Sequence, residues 1–427
     1  MANIPRRCGL LNARWAIVIQ MIRPAPHHLL ALGILGISSI WGFVGYWGHM
    51  FDNFDTIVAT RHLPDGRVMR MRYTGVDALD HRMTPVIAFY EVLSNGLSMG
   101  PRMLFFNINF VVICTNVWVM IESRRRGMQS AALKYPFAFM IVWNFIGAAL
   151  IQPHYLYIIV QGNLKQRDPT IPRHEATALF LTTISAILCP SLLFAPTWLQ
   201  TSTWTHHGLV ALFHATPILL AIIFDISKRI LGSPAGHFLA RSPAENDPRR
   251  HPDQPWLVAS YILAGVISGM VHLFTVITAL KTRNPDATLS RLFVPTWERL
   301  ATANTLPLSW MGQRSNTSAI NSDGTGTANK TAEVLEQFHL FSQFDWIVVS
   351  LACIVFTYLL LSRARESKSA RREVNTHHSK MSDVEKRDLG LLLLGTIVLG
   401  PGAAGSFGLA VRESKLRQQW NQAMKSQ

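Results

Sequence analysis

Charge is scarce in this sequence. Only 15% of its 427 residues are Asp, Glu, Lys or Arg, and 49% are hydrophobic. A soluble domain carries about a quarter charged residues, so an ordinary soluble fold is excluded and a membrane protein is indicated. Cysteine is nearly absent. Cys8, Cys114, Cys189 and Cys353 lie far apart with no CxxC, which excludes a disulfide framework and a cysteine zinc or redox motif. Walker A, GxGxxG, HExxH and GxSxG motifs are all missing. So is the DDxxD type of carboxylate run that holds magnesium on a diphosphate, which counts against an intramembrane prenyltransferase. The histidine pairs His27-His28 and His206-His207 are chain neighbours, which do not face one another on a helix. No metal, nucleotide or redox cofactor is therefore expected. No nucleic-acid module is visible either. The net charge of +15 is spread over many loops, as suits contact with anionic lipid in a bilayer.

Long apolar runs fill the chain instead. They predict an all-α polytopic integral membrane bundle of about eight transmembrane helices, near 29–47, 103–121, 135–160, 177–199, 208–224, 256–280, 344–361 and 389–411. Residues 1–28 form a basic N-terminal segment in which 13–22 read as an interfacial helix, since no small-residue cleavage site follows. Residues 29–411 are the membrane domain, and 412–427 are a polar tail that would extend as a basic helix. The basic loop 362–388 is placed in the cytosol. The polar loop around 311–333 is then luminal and holds the acceptor sequons at Asn316 and Asn329. One feature resists this scheme: Arg124-Arg125-Arg126 would be luminal unless a segment such as 135–160 fails to cross. A multi-pass location in the endoplasmic reticulum is expected.

The chain is organised around Leu63–Gly96, where Asp77, Asp80, His81, Arg82 and Glu91 stand beside membrane-depth sequence. Ionisable residues there are costly and tend to be functional. Pro64-Asp65-Gly66 is a turn signal, and the alternation from Arg67 to Tyr73 predicts a short strand or hairpin arm. Asp77 and Asp80 are three apart and would share a helix face. Two close carboxyls cannot both ionise easily, so one would stay protonated and able to protonate an epoxide or alkene. The same two residues also fit as caps of a helix that starts near 80. Glu91 follows Asp80 by about three helical turns and is a second candidate acid. His154 follows Gln152-Pro153, where proline bends a helix, and is a candidate proton acceptor. Asp345 reads as an acid at the start of a span. Asn107, Asn109, Asn116 and Asn144 suit interhelical bridges. Phe89, Tyr90, Trp118 and Trp143 are candidate π faces for a cation.

The run DGRVMRMRYTGVDALDHRMTPVIAFYEVLSNG resembles the pattern DGxxxRxRYTGxxxLDxxxxxxxAFFxxxxxG of a fungal multi-span family. Members of that family include the membrane-bound terpene cyclases of meroterpenoid pathways such as ascochlorin, ascofuranone and macrophorin. The similarity extends over about 29–230, through the basic turn at 122–127 to Pro153-His154. Arg72, Tyr73, Thr74, Gly75, Leu79 and Asp80 match the motif core and Phe89 its aromatic tail, while Tyr90 and Asn95 depart from it. The resemblance implies acid-initiated cyclisation of a lipophilic prenylated substrate. Asp80, Glu91 or Asp77 would give the proton, His154 would receive it, and Arg72, Tyr73, Phe89, Tyr90, Trp118 and Trp143 would line the site. A transporter of a lipophilic metabolite would use the same buried polar residues as a path, and a membrane protein without chemistry of its own is the third reading.

Overall fold

The computed structural model describes residues 24–126, 131–165, 168–234, 251–296, 325–364 and 382–425. Their regular structure is helical. α1 (Pro26–Trp47) begins with proline in its first turn and is π-helical from Ile37 to Trp47. α2 (Met50–Thr60) and α3 (Asp77–Ser94) follow. α4 (Met99–Ser123) is the central helix, buried on nearly every face. α5 (Pro136–Ile146) and α6 (Ala148–Lys165) are separated by Gly147 alone. Next come α7 (Arg173–Leu188), α8 (Ser191–Trp198), α9 (Thr203–His214) and α10 (Thr216–Gly232). α11 (Gln254–Lys281), the short α12 (Leu289–Phe293), α13 (Thr325–Arg363), α14 (Asp383–Leu399) and α15 (Pro401–Lys425) complete the chain.

Among the described residues, five segments are long and apolar enough to cross a membrane: α1, α4, α7 with α8, α11 and most of α13. The α9–α10 pair, bent by 55°, makes a sixth if it counts as one span. The expectation of about eight is not reached among the described residues, and two of its segments are broken for the same reason. Gly147 at φ 104° and Gly400 at φ 84° adopt a backbone conformation that L side chains rarely take, and each breaks what read as one span. α5 runs into the bundle and α6 returns to the same end. Tyr155 of α6 donates to Ala132 O just before α5, and Arg363, at the end of α13, donates to Val160 O of α6. α14 and α15 form a second such hairpin, in which Gly395 lies against Ala404 and Gly408 against Leu392.

This arrangement removes the difficulty with the arginine run. Arg125 is buried against Glu122 at 2.7 Å and pairs with Glu413; Arg412 reaches Glu122 at 2.7 Å, and Arg417 reaches Asp253 at 2.7 Å. Gln419 donates to Ala364 O. Arg124–Arg126 therefore sit at the same end of the bundle as the start of the basic loop 362–388, in keeping with the positive-inside rule. Residues beyond 412 continue α15, and Arg412, Glu413 and Arg417 are buried in this ionic cluster. Of the sequons, Asn316 lies outside the described residues, and Asn329 falls in the first turns of α13.

Small residues set the close approaches, as is usual between membrane helices. A Cβ at Gly33 would fall 2.0 Å from the His154 ring, and one at Gly36 would fall 2.4 Å from Ala149 O. Pro153 leaves that carbonyl without its helical N–H partner, but the helix continues through it and breaks at Gly147 instead. α15 approaches α4 and α11 through Gly402 and Gly405, and Trp118 donates from Nε1 to Ser406 Oγ at 2.9 Å. A Cβ at Gly405 would stand 2.3 Å from Trp118, whereas one at Gly390 meets nothing within 4 Å. Gly405→Ala should lower stability by about 1–3 kcal/mol, the usual cost of overpacking. Gly390→Ala should not lower it. Thermal unfolding of both variants in detergent checks this.

Candidate active site

The Leu63–Gly96 stretch folds as a strap followed by α3. Leu63 and Arg67 close a tight turn through Leu63 N–H to Arg67 O at 2.8 Å, with Gly66 at φ 84°. Buried Leu63 and Met69 pin the strap to the bundle. The strand expected over 67–73 is reduced to a single bridge between His62 and Val68. No second partner strand lies beside it among the described residues, so the alternation serves only to turn Met69 inward. Arg70 stacks its guanidinium 4.7 Å from the Trp204 ring and 5.6 Å from Tyr73. Tyr73 donates its hydroxyl to Arg70 O, and exposed Arg72 accepts from Arg70 Nε at its carbonyl.

Asp77 and Asp80 do not act as a pair. Asp77 is exposed. Asp80 is buried and turned back on the strap, where Oδ1 accepts from Thr74 N and Thr74 Oγ1, both at 2.8 Å, and Oδ2 accepts from Gly75 N at 3.1 Å. Burial pushes its carboxyl up, but these hydrogen bonds outweigh that and hold it below the usual carboxylate range. The shared motif from Arg72 to Asp80 is thus a self-bonded loop closure in this fold.

Glu91 is fully buried about three turns further along α3. Arg67 reaches it at 2.8 Å and His206 Nδ1 at 2.7 Å. His206 Nε2 lies 3.0 Å from Leu193 O and 3.1 Å from Ser94 Oγ, and His207 Nδ1 accepts from Arg70 N at 3.2 Å. Burial raises the Glu91 carboxyl, yet His206, His207 and Arg67 together bring it below its ordinary value. Glu91 therefore ties the strap, α3, α8 and α9 into one corner.

Beside this corner lies a cleft of about 780 Å³, its open mouth included. Its walls come from α1, α2, α3, α4, the α5–α6 break and α13. Trp41, Phe51, Phe54, Phe89, Tyr90, Phe105, Trp143, Phe145 and Phe341 line it, with Asn109, Asn144, Ser342 and Asp345 as polar groups. The rings pack edge to face: Phe89 lies 4.9 Å from Phe341, and Tyr90 lies 5.0 Å from Phe105. The broken hairpin brings its tip here. Trp41 Nε1 donates to Ile146 O at 2.9 Å, and Ala149 N donates to Asp345 Oδ1 at 2.6 Å.

Of the residues singled out in the sequence, Phe89, Tyr90 and Trp143 line this cleft. Trp118 sits in a separate core region with its ring parallel to Phe356, and His154 is bonded from Nδ1 to Leu150 O at 2.8 Å and packed on Gly33. Arg72, Tyr73, Asp77, Asp80 and Glu91 do not line it. Sequence reasoning passed over Asp345 as a span-starting acid; α13 begins twenty residues earlier, so Asp345 lies well inside it. The available signal was an acid flanked by Phe344 and Trp346 within an apolar run. Among the described residues, no three His, Cys, Asp or Glu side chains converge as metal ligands.

The CtvD domain matches residues 25–417 of the chain. The chain is 41% identical to terpene cyclase DEP1 of Fusarium langsethiae over 93% of its own length and 100% of that protein. Identity to terpene cyclase DEP1 of Alternaria brassicicola is also 41%, over 90% and 97% of the two chains. Terpene cyclase alnG of Emericella nidulans is 22% identical over 88% and 91%. No solved structure matches the chain.

The Glu91 corner carries a test of its own. Its lowered carboxyl contributes stability that is complete above the ordinary value of 4.5 and is lost as the pH falls below it. Glu91→Gln should lower stability at neutral pH by about 1–3 kcal/mol, because Arg67 and His206 lose their charged partner. The difference from the unaltered protein should shrink as the pH is taken below 4.5. Thermal unfolding in detergent across that range measures both effects.

Proposed function

The chain belongs to the CtvD-domain family, and from that premise we propose that it is a membrane-embedded terpene cyclase that closes rings in the prenyl chain of a lipophilic substrate. The observation that carries this reading is the aromatic cleft. A cyclase must fold a flexible polyene into one shape, keep water from the carbocations, and stabilise positive charge without a nucleophile that would capture it. Ring faces meet the last demand, since a cation over a desolvated aromatic ring gains about 2 kcal/mol. Phe89, Tyr90, Phe105, Trp143 and Phe341 present such faces from four different helices. Asn109, Asn144 and Ser342 are polar groups able to orient a head group, although Asn109 also donates to Phe105 O at 2.7 Å, Ser342 donates to Phe338 O at 2.9 Å, and the Asn144 backbone carbonyl accepts from Tyr90 at 3.4 Å.

The substrate class is a prenylated compound with a polar, aromatic head, the meroterpenoid type. Such a molecule partitions into the bilayer, and lipid-facing Trp41 lies on the cleft wall. The reaction is a proton-initiated isomerisation. A carboxylic acid protonates an epoxide or terminal alkene, the π bonds of the chain close in turn, and a proton is lost at the end. Substrate and product then share one formula, and the step calls for no diphosphate leaving group.

Microsomes containing the protein should convert a farnesylated aromatic epoxide into a cyclic isomer of unchanged mass, detectable by chromatography and NMR. Unchanged substrate across a series of prenyl chain lengths would remove the cyclase reading. Phe89→Leu, which keeps the apolar wall but removes a π face, should lower turnover about 30-fold, the equivalent of one desolvated cation–π contact. It should also shift the product mixture toward early-quenched rings.

A further inference from the structure

Resting on that reading, we propose that Asp345 is the proton donor that starts the cyclisation, presented to the cleft by the amino end of α6. Among the described residues it is the only acidic side chain lining the cleft, and no Lys, Arg or His shares that lining with it. The other buried acids are committed elsewhere. Glu91 is held by Arg67 and His206, Asp80 by Thr74 and Gly75, and Glu122 by Arg125 and Arg412. Asp345 accepts from backbone N–H groups at the start of α6, Ala149 N to Oδ1 at 2.6 Å with Ala148 N as a second donor. These donors fix the orientation of the carboxyl group on the cleft wall.

The step balances without a co-reactant. The Asp345 carboxyl gives its proton to the epoxide oxygen. The C–O bond breaks with its electron pair passing to oxygen, leaving a hydroxyl group and a tertiary cation. Each neighbouring π pair then forms a C–C bond and passes the positive charge along the chain. The last cation loses a proton from the adjacent carbon, and that proton restores the Asp345 carboxyl, directly or through water. With an alkene in place of the epoxide, the first proton goes to carbon and the same balance holds.

The tip of the α5–α6 hairpin needs an acceptor for Ala149 N–H, and Asp345 supplies it, so a purely architectural role must be separated from a chemical one. Asparagine separates them: Asp345→Asn keeps an oxygen for Ala149 N–H and cannot act as an acid. In the microsomal assay, Asp345→Asn should lower kcat about 1,000-fold, within the range of general-acid contributions. Its KM and thermal stability should stay close to those of the unaltered protein, and Asp345→Glu should recover part of the rate. Near-normal turnover by Asp345→Asn, together with instability of Asp345→Ala, would overturn the proposal and leave Asp345 as a cap. A second measurement needs no turnover. A farnesylated tertiary amine, protonated and shaped like the first cation, should bind the purified protein at least tenfold more tightly than it binds Asp345→Asn. Equal binding would overturn the placement of Asp345 against the reacting end of the chain. Tighter binding in a protein that converts no prenylated substrate would support that placement and remove the cyclase reading instead.

Discussion

A backbone broken at membrane depth has no water to turn to, and the architecture follows from how this protein meets that constraint. Gly147 and Gly400 each interrupt an apolar run and free N–H and C=O groups inside the bundle. Side chains from other helices supply the missing partners. At the first break, Trp41 binds Ile146 O and Asp345 binds Ala149 N. At the second, His272 approaches Ile397 O at 3.4 Å while Asn107 joins it to Trp346. Each tip is thereby locked to a crossing helix, and the hairpins become walls of the bundle.

The same constraint governs the acids. A buried carboxylate is tolerated when paired or hydrogen-bonded. Glu122 has arginines, Asp80 has backbone and hydroxyl donors, and Glu91 has arginine and histidine. Asp345 stands apart because it serves a backbone group at a break and faces an apolar cleft. Structural necessity and chemical opportunity coincide at one side chain, which is why Asp345→Asn is the informative substitution and not Asp345→Ala.

Much of the fold was legible in the apolar periodicity. Segments 29–47, 103–121, 256–280 and 344–361 fall inside long helices and 177–199 falls on α7 and α8, because a run of uncharged residues of that length has few other stable forms. Hydropathy does not record direction, so 135–160 and 389–411 read as crossings when they are hairpins. The clue was a positive-φ glycine in each, hidden among many glycines that serve only close packing. At the site, Phe89, Tyr90 and Trp143 were legible as aromatic residues near polar ones. Asp77 and Asp80 both lie in the first turn of α3, but Asp77 is exposed while Asp80 turns back to hold the loop before the helix, so their spacing does not bring the two carboxyls together. Asp345 was obscured because α13 starts far earlier than its apolar stretch does, so an interior acid looked terminal.

The cleft draws its walls from Trp41 near the start of the chain and from Asp345 more than three hundred residues later. During membrane insertion it cannot exist until α13 has been delivered, and α4, with its asparagines, waits beside incomplete neighbours until α11, α13 and α15 arrive. Assembly of the cleft is therefore a late event in biogenesis. A chain truncated before α13 would insert several helices and yet lack the side of the cleft that Phe341 and Asp345 provide, so the cleft forms only once most of the bundle has been made.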